Sequence, residues 1–93
     1  MANLKSTGNL KKRRPRRKRM NIFIMNDDYN SFENVIEILQ TYLPMCNVLR
    51  AEQIALLIHK HGECDVYSGF APEIYILYTQ LKKSGLDVQI RYN

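Results

Sequence analysis

The apolar positions divide the chain after residue 19 into six short elements. Residues 20–25 form a largely apolar run of strand-favouring side chains, which predicts a buried central strand. Residues 32–43, 51–58 and 74–81 repeat apolar side chains at three- and four-residue intervals, which is the spacing of amphipathic helices. Two shorter segments, residues 63–67 and 87–91, have the composition of further strands.

Residues that start and stop helices stand between these segments. Asn30 or Ser31 can cap the first helix, and Pro44 ends it. Gly62 closes the second helix, because glycine readily adopts the left-handed conformation that follows many helix ends. The link after Pro44 is short, so the sequence predicts that the first two helices pair as a hairpin.

The third helix is bounded in the same way. Ser68-Gly69 predicts a turn after the second strand, Pro72 fits the first turn of the helix, and Gly85 closes it. The resulting order is strand, helix, helix, strand, helix, strand. This order predicts an α+β fold, a two-layer domain in which a three-stranded antiparallel sheet packs against three helices.

Charge is distributed unevenly along the chain. Residues 1–19 carry nine Lys or Arg residues, and no acidic residue occurs before Asp27. The other five basic residues and all nine acidic residues give residues 20–93 a net charge of −4. Like charges repel each other, and Pro15 interrupts any helix, so residues 1–19 are predicted to be a disordered basic arm in front of the folded domain.

The basic arm leaves several functions open. It can be a solubilising tail, or it can contact phosphate groups or an acidic protein surface. No aromatic residue interleaves the bases, so the sequence does not support base stacking on a single-stranded nucleic acid. A small nucleic-acid- or ribosome-associated protein that acts through this arm is therefore the alternative function, and the arm is the only part that favours nucleic acid.

The sequence also bears on location. No window is long and apolar enough to predict a membrane span, and the apolar run after the basic residues is too short for a signal peptide. Cys46 and Cys64 do not make a disulfide framework. We therefore expect two reduced thiols in a cytoplasmic protein.

The strongest candidate for chemistry is Asn26-Asp27-Asp28-Tyr29, between the first strand and the first helix. Two adjacent carboxylates cost stability unless a cation, a metal or backbone donors compensate their charge. Asn and Asp also form ordinary turns by hydrogen bonding to the nearby backbone, so the motif alone favours a strand-to-helix corner. His59, near the end of the second helix, adds a group that favours function.

These residues carry a resemblance to a known family. The run from Ile22 to Ile38, in which the motif opens a helix, resembles the ClpS adaptors, or N-recognins, of ATP-dependent Clp proteases. The resemblance covers about residues 23–91, and the family has the order of elements predicted above. It continues at Arg50-Ala51, His59, Gly62, residues 64–69 and residues 81–86.

The resemblance implies a non-catalytic adaptor without cofactor or metal. Such adaptors bind the free N-terminal residue of a substrate protein when its side chain is Leu, Phe, Tyr or Trp. They deliver the substrate to the N-terminal domain of a ClpA- or ClpC-like AAA+ unfoldase. The family's α-amino-binding set falls on Asn26, Asp28 and His59, which can supply hydrogen-bond acceptors. The hydrophobic pocket falls on Met25, Asp27, Asn30, Phe32, Val35, Ala55, Ile58 and Val88.

Three pocket positions depart from the family's pattern. Phe32 stands where Met is common, Asn30 where Thr is common, and Ala55 where a larger apolar residue is common. A rigid Phe32 narrows the mouth and Ala55 deepens the pocket, so the preference among N-terminal residues stays open. Glu73 on the third helix is a candidate contact for the unfoldase.

Two other functions use some of the same residues. An enzyme would use Asp27, Asp28 and His59 as acid–base groups, but the sequence has no nucleophile beside a base and no oxyanion-hole motif. A zinc site would draw on Cys46, His59, His61 and Cys64. However, residues two apart on a helix point to different faces, and the spacing is not that of a zinc finger.

Overall fold

The computed structural model describes residues 17–92 and contains the predicted order of elements. Most of the predicted arm, residues 1–16, lies outside the described residues. The six elements are β1 (Met20–Met25), α1 (Phe32–Tyr42), α2 (Val48–His61), β2 (Glu63–Gly69), α3 (Glu73–Lys83) and β3 (Asp87–Tyr92). This arrangement confirms the α+β prediction.

The three strands form one antiparallel sheet in the order β2–β1–β3. Met20, the first residue of β1, pairs with Gly69 on one side and Tyr92 on the other. Met25, the last residue of β1, pairs with Glu63 and Asp87. The end of β1 at Met20 therefore meets the last residues of both edge strands, and the two ends of the sheet are chemically distinct surfaces.

The core lies between one face of the sheet and the three helices. Side chains alternate along β1, so Met20, Ile22 and Ile24 are buried against the helices, whereas Phe23 and Met25 occupy the other face. The fully buried large side chains are Ile22, Ile24, Leu39, Ile74 and Leu81. On the outer face, the Arg91 guanidinium lies 4.0 Å from the centroid of the Phe23 ring. The same group is 2.8 Å from a Glu63 carboxylate oxygen, which ties the two edge strands together over β1.

Polar side chains cap the starts of α1 and α2, and a glycine ends α2; Ser31 and Gly62 are the positions that the sequence predicts. The Ser31 hydroxyl accepts a hydrogen bond from the Asn34 backbone N–H at 3.0 Å and caps α1. The Asn47 side chain accepts one from the Arg50 backbone N–H at 2.9 Å, so α2 begins at Val48, before the apolar spacing becomes visible. Gly62 ends α2 with a φ of 85°.

Two boundaries differ from the sequence prediction. Ser68 and Gly69 were expected to turn, but they pair with Asn21 and Met20 and extend β2 along the whole of β1. A Cβ atom at position 69 would lie 3.2 Å from a Glu73 carboxylate oxygen, which is closer than an ordinary van der Waals contact. Glycine, which has no Cβ atom, is therefore suited to this position. Pro72 lies directly before α3 rather than in its first turn.

Candidate functional site

The corner after β1 is fixed to the end of α2 by the backbone. The Asn26 N–H donates to the Gly62 carbonyl oxygen at 2.8 Å. Gly62 also donates its own N–H to the Ile58 carbonyl oxygen at 2.8 Å, so the same residue closes the helix. His59 lies in the last turn of that helix, three residues before Gly62. The structure thus brings the Asn-Asp-Asp motif and His59, which are far apart in sequence, to one corner of the molecule.

Asp27 holds the turn together. Its carboxylate accepts hydrogen bonds from the backbone N–H groups of Tyr29 and Asn30, both at 2.9 Å. The Asn30 amide group donates a third bond at 3.0 Å. Burial raises the pKa of Asp27, but the hydrogen bonds from Asn30 and Tyr29 outweigh it, and the net pKa is lowered. Asp27 is therefore a charged turn residue, and most of its acceptor positions are used within the turn.

Asn30 connects this turn to the rest of the site. Its amide nitrogen also donates to the Gly85 carbonyl oxygen at 2.9 Å, in the link between α3 and β3. Its amide oxygen accepts from the Asn34 side chain at 2.5 Å. Sequence reasoning missed Asn34, although its spacing of four residues from Asn30 was a usable signal. Because its polar atoms are engaged, Asn30 positions the turn against α1 and the α3–β3 link.

Three predicted acceptors at the corner remain exposed. Asn26, Asp28 and His59 all lie at the surface. Within residues 17–92, no group forms a hydrogen bond with the side-chain amide of Asn26, the carboxylate of Asp28 or the imidazole of His59. An amide oxygen, a carboxylate and a neutral imidazole nitrogen all accept N–H donors. This surface is chemically suited to a cationic group with several N–H bonds.

The predicted pocket residues fall into two groups. Ala55, Ile58 and Val88 are 4%, 4% and 2% exposed, and Val35 packs against the same core. Val88 pairs with Ile24 on the face of the sheet that the helices cover. Met25 lies on the opposite face, where its sulfur is 3.8 Å from an Arg91 nitrogen, so the structure places its side chain apart from the other apolar members.

Phe32 is the exposed apolar residue of the set. It begins α1 and is 42% exposed. Its ring lines an open groove of about 330 Å³ along α2. The other lining residues are Leu49, Glu52, Gln53 and Leu56. Because it is at the surface, the Phe32 side chain can change rotamer without disturbing the core.

Other candidate chemistry in the described part of the chain concerns metal ligands and thiols. Residues 17–92 contain no group of three or more His, Cys, Asp and Glu side chains that could hold a metal ion. Burial raises the pKa of the Cys46 thiol, and burial together with the Asp65 charge raises that of Cys64, so both favour the protonated form.

The Glu73 carboxylate accepts a hydrogen bond from the Tyr67 hydroxyl. No helix in the described part of the chain is long and apolar enough to cross a membrane.

The fold and this corner define a small α+β domain with an exposed set of hydrogen-bond acceptors beside a buried apolar cluster. The chain belongs to the ClpS family, because the family model described as "ATP-dependent Clp protease adaptor protein ClpS" matches residues 15–88. The matched range contains all the predicted site residues. The resemblance inferred from the Asn-Asp-Asp motif and His59 is thereby confirmed at the level of the family.

Individual relatives are similar over most of the domain. The chain is 38% identical over 68 residues to "ATP-dependent Clp protease adapter protein ClpS 2" of Rhodopseudomonas palustris, which covers 68% of this chain and 62% of that protein. It is 29% identical over 65 residues to the ClpS of Thermosynechococcus vestitus, covering 70% of this chain and 69% of that protein. The match thus spans slightly less than two thirds of the first relative.

The fold is also found in a solved structure. Agrobacterium tumefaciens ClpS2, determined bound to L-phenylalaninamide, matches with a TM-score of 0.75 over 84% of this chain and 100% of that chain. The two sequences are 19% identical, so this likeness concerns the fold.

Proposed function

We propose that this protein is a non-catalytic adaptor that binds the free α-amino group and the large apolar side chain of an N-terminal Leu, Phe, Tyr or Trp. Asn26, Asp28 and His59 take the α-ammonium group, which presents three N–H donors and one positive charge. The observation that carries the proposal is the set of exposed acceptors at the corner between β1 and α2, which have no partner among residues 17–92. The phenylalaninamide bound to the A. tumefaciens relative supports the same chemistry.

The apolar side chain enters beside this acceptor set. Asn30, Val35, Ala55, Ile58 and Val88 form the proposed wall, with Asp27 at the rim and Phe32 at the mouth. The Met25 side chain lies on the other face of the sheet and is left out of this wall. Ala55 lies four residues before His59 on α2, hence on the same side of the helix. Ala55, Ile58 and Val88 are buried, so the side chains that cover them must move before the side chain of the substrate can enter. Among the proposed pocket residues, the exposed Phe32 ring moves at least cost.

Two contributions of similar size set the affinity. Burying a Leu or Phe side chain contributes about 1.5–3 kcal/mol. A charge-assisted hydrogen bond to the ammonium contributes about 1.5–3 kcal/mol before the cost of association. The result is weak to moderate, rapidly reversible binding, which suits a protein that must release its substrate. An acetylated N-terminus lacks the charge and leaves the acceptors unpaired, so it is rejected.

Delivery to a Clp AAA+ unfoldase completes the proposal. The family description and the names of the relatives support a Clp protease as the partner. The N-terminal domain of a ClpA- or ClpC-like unfoldase is the proposed docking partner, and Glu73 is the candidate contact on α3. The cytoplasmic location predicted from the sequence stays a prediction. No covalent chemistry is assigned, because the pKa of each thiol is raised, which disfavours the reactive thiolate, and the acceptor set lacks a nucleophile.

Fluorescence anisotropy of labelled peptides that differ at one residue tests this function. Peptides beginning with Leu or Phe are expected to bind, whereas those beginning with Ala or with Nα-acetyl-Leu are not. Equal binding of all four peptides, or of none, would refute the proposal. As a second test, the His59→Ala variant should bind the Leu peptide more weakly than the wild type, because it lacks one of the three proposed acceptors of the α-ammonium group.

A further inference from the structure

The opposite end of β1 carries a cluster of cationic and aromatic side chains that the proposed adaptor function does not use. We name this basic–aromatic cluster by its residues, Arg17, Lys18, Arg19, Phe70, Tyr75 and Tyr92. Met20 pairs with both Gly69 and Tyr92, so the chain enters β1 between the last residues of β2 and β3. The register of the sheet thus brings Phe70 and Tyr75, which follow β2, together with Tyr92 at the end of β3, around the end of the basic arm.

Phe70 holds two of the cations in place. The guanidinium carbons of Arg17 and Arg19 lie 4.5 Å and 5.2 Å from the centroid of its ring. Arg17 donates to the Ala71 carbonyl oxygen at 3.3 Å, and Arg19 donates to the Ser68 hydroxyl at 2.9 Å. These neutral acceptors use one N–H of each guanidinium, which has five, so donors remain for a further acceptor.

The cluster has positive charge without compensating acids. Arg17, Lys18 and Arg19 are all exposed, and within residues 17–92 none of them forms an ion pair with Asp or Glu. The sequence places six more basic residues in the preceding segment, residues 5–16. Three like charges held side by side repel each other, so binding an anion there relieves an existing electrostatic cost.

Two aromatic rings in the cluster leave surface open. Tyr75 is 46% exposed and Tyr92 is 60% exposed, and their hydroxyl groups interact with each other. Lys18 lies 5.9 Å from the centroid of the Tyr92 ring. Together with Arg17, Phe70 and other neighbours, they line a cavity of about 320 Å³, within the range of small-ligand sites.

We propose that the basic–aromatic cluster is a binding surface for single-stranded nucleic acid. Proteins that bind single strands combine a positive track for phosphates with aromatic rings on which bases stack. Here the arginines and Lys18 form the track, and Tyr75 and Tyr92 offer the rings. An acidic peptide would contact the cations but has no bases to stack on the exposed rings. The open aromatic surface therefore favours nucleic acid. The arm's sequence lacks aromatic residues, and the fold supplies them.

Anisotropy of a labelled oligothymidylate of about a dozen nucleotides tests the surface in the full chain. Binding is expected to weaken with rising salt, with a log–log slope of about −0.7 for each phosphate contact. Arg17→Gln with Arg19→Gln should flatten this slope. The control, Lys82→Gln with Lys83→Gln, removes the same charge from the end of α3 and should leave the slope nearly unchanged.

Aromatic variants separate stacking from simple charge attraction. Tyr92→Ala should weaken oligothymidylate binding by roughly five- to a hundredfold while the salt slope stays the same. Tyr42→Ala, a truncation of another exposed tyrosine on α1, is the matched control and should have no effect. Arg17→Lys with Arg19→Lys retains the charge but loses the planar groups, and should also weaken binding.

Two outcomes would overturn this proposal. The first is the absence of salt-dependent oligothymidylate binding by the full chain. The second is binding of polyglutamate as tight as that of oligothymidylate, with no response to Tyr92→Ala, which would assign the cluster to an acidic protein partner. All these variants should bind an N-terminal Leu peptide normally, so failure here is distinguishable from failure of the adaptor function.

Discussion

The carboxylates of Asp27 and Asp28 differ in their contacts, although the residues are adjacent. Asp27 accepts bonds from the Tyr29 and Asn30 backbones and from the Asn30 side chain. Asp28 is exposed and has no partner within residues 17–92. The first carboxylate therefore stabilises the turn, and the second remains available to a ligand. Sequence alone does not separate these roles, because both residues are aspartates at adjacent positions.

Paired alanine variants test this division. Asp27→Ala leaves three donors without their acceptor and should lower the free energy of unfolding by about 1 kcal/mol, as for the loss of a helix cap. Asp28→Ala should change stability by less than about 0.5 kcal/mol, as for an ordinary surface substitution, but should abolish Leu-peptide binding. Urea unfolding and peptide anisotropy on both variants measure the two effects. Retained peptide affinity in Asp28→Ala would remove Asp28 from the site.

The lowered pKa of Asp27 predicts a pH dependence of stability. A carboxyl group whose pKa is lower in the folded state stabilises the fold above its ordinary value of 3.8, and this contribution disappears as the pH falls through the lowered pKa. The stability difference between the wild type and Asp27→Asn should therefore be constant above about pH 5 and shrink in acid. Thermal unfolding across this range measures the difference. A gap that widens on acidification would contradict the assigned direction.

At the scale of elements, the end of α2 is where fold and site are connected. Gly62 ends the helix in the left-handed region, and its carbonyl oxygen accepts the Asn26 N–H at 2.8 Å. A Cβ atom at Gly62 would meet nothing within 4 Å, so backbone strain is the main cost of a side chain there. This one residue sets both the helix end that carries His59 and the position of the Asn-Asp-Asp corner.

Substitutions at Gly62 should therefore affect stability and binding together. Gly62→Ala is expected to cost about 1–2 kcal/mol, because alanine is strained in the left-handed region, and to weaken Leu-peptide binding. Gly62→Asn should cost less, since asparagine tolerates this conformation. Urea unfolding with parallel peptide titrations checks both expectations. Equal stability of the alanine variant and the wild type would mean that the helix end adapts without strain.

Periodicity predicted the elements well, because burial imposes it on every strand and helix. It placed Ile74, Leu77, Tyr78 and Leu81 on the buried face of α3. Ile74, Leu77 and Leu81 are buried, and Tyr78 is partly buried and packs against the core. It missed the extension of β2 through Ser68 and Gly69, because that pairing is set by the register with β1 and not by local composition. Side-chain contacts between segments are equally invisible to periodicity.

The candidate site was predictable to the extent that it rests on local motifs. The Asn-Asp-Asp motif could be found by its charge, and His59 could be found because the chain resembles the family. The contact of Asn30 with Asn34 follows from their spacing of four residues. The bond from Asn30 to the Gly85 carbonyl oxygen depends on how the α3–β3 link packs against the turn, so no local pattern reveals it. The basic–aromatic cluster is hidden for the same reason, since Phe70 and Tyr92 approach Arg17 and Lys18 only through the sheet.

At the scale of the whole molecule, β1 separates the two proposed sites. The acceptor set lies beyond its last residue, Met25, and the basic–aromatic cluster lies at its first residue, Met20. At about 3.4 Å per residue, the strand holds the two ends about 17 Å apart. Electrostatic interaction in salt decays over about 8 Å at physiological ionic strength, so charges at the two ends are largely screened from each other.

This separation predicts independent binding that becomes coupled when the salt is removed. If both proposals hold, saturating oligothymidylate should change the affinity for a Leu peptide with no other charge by less than about twofold at physiological ionic strength. At about 0.01 M salt the screening length is about 30 Å, so the bound polyanion should attract the α-ammonium and tighten peptide binding. Linkage requires the peptide to tighten oligonucleotide binding by the same factor. Peptide titrations with and without oligonucleotide, at both salt concentrations, measure the coupling. Weaker peptide binding with oligonucleotide bound would mean that the two ligands compete for one surface, which contradicts the placement of the sites at opposite ends of β1.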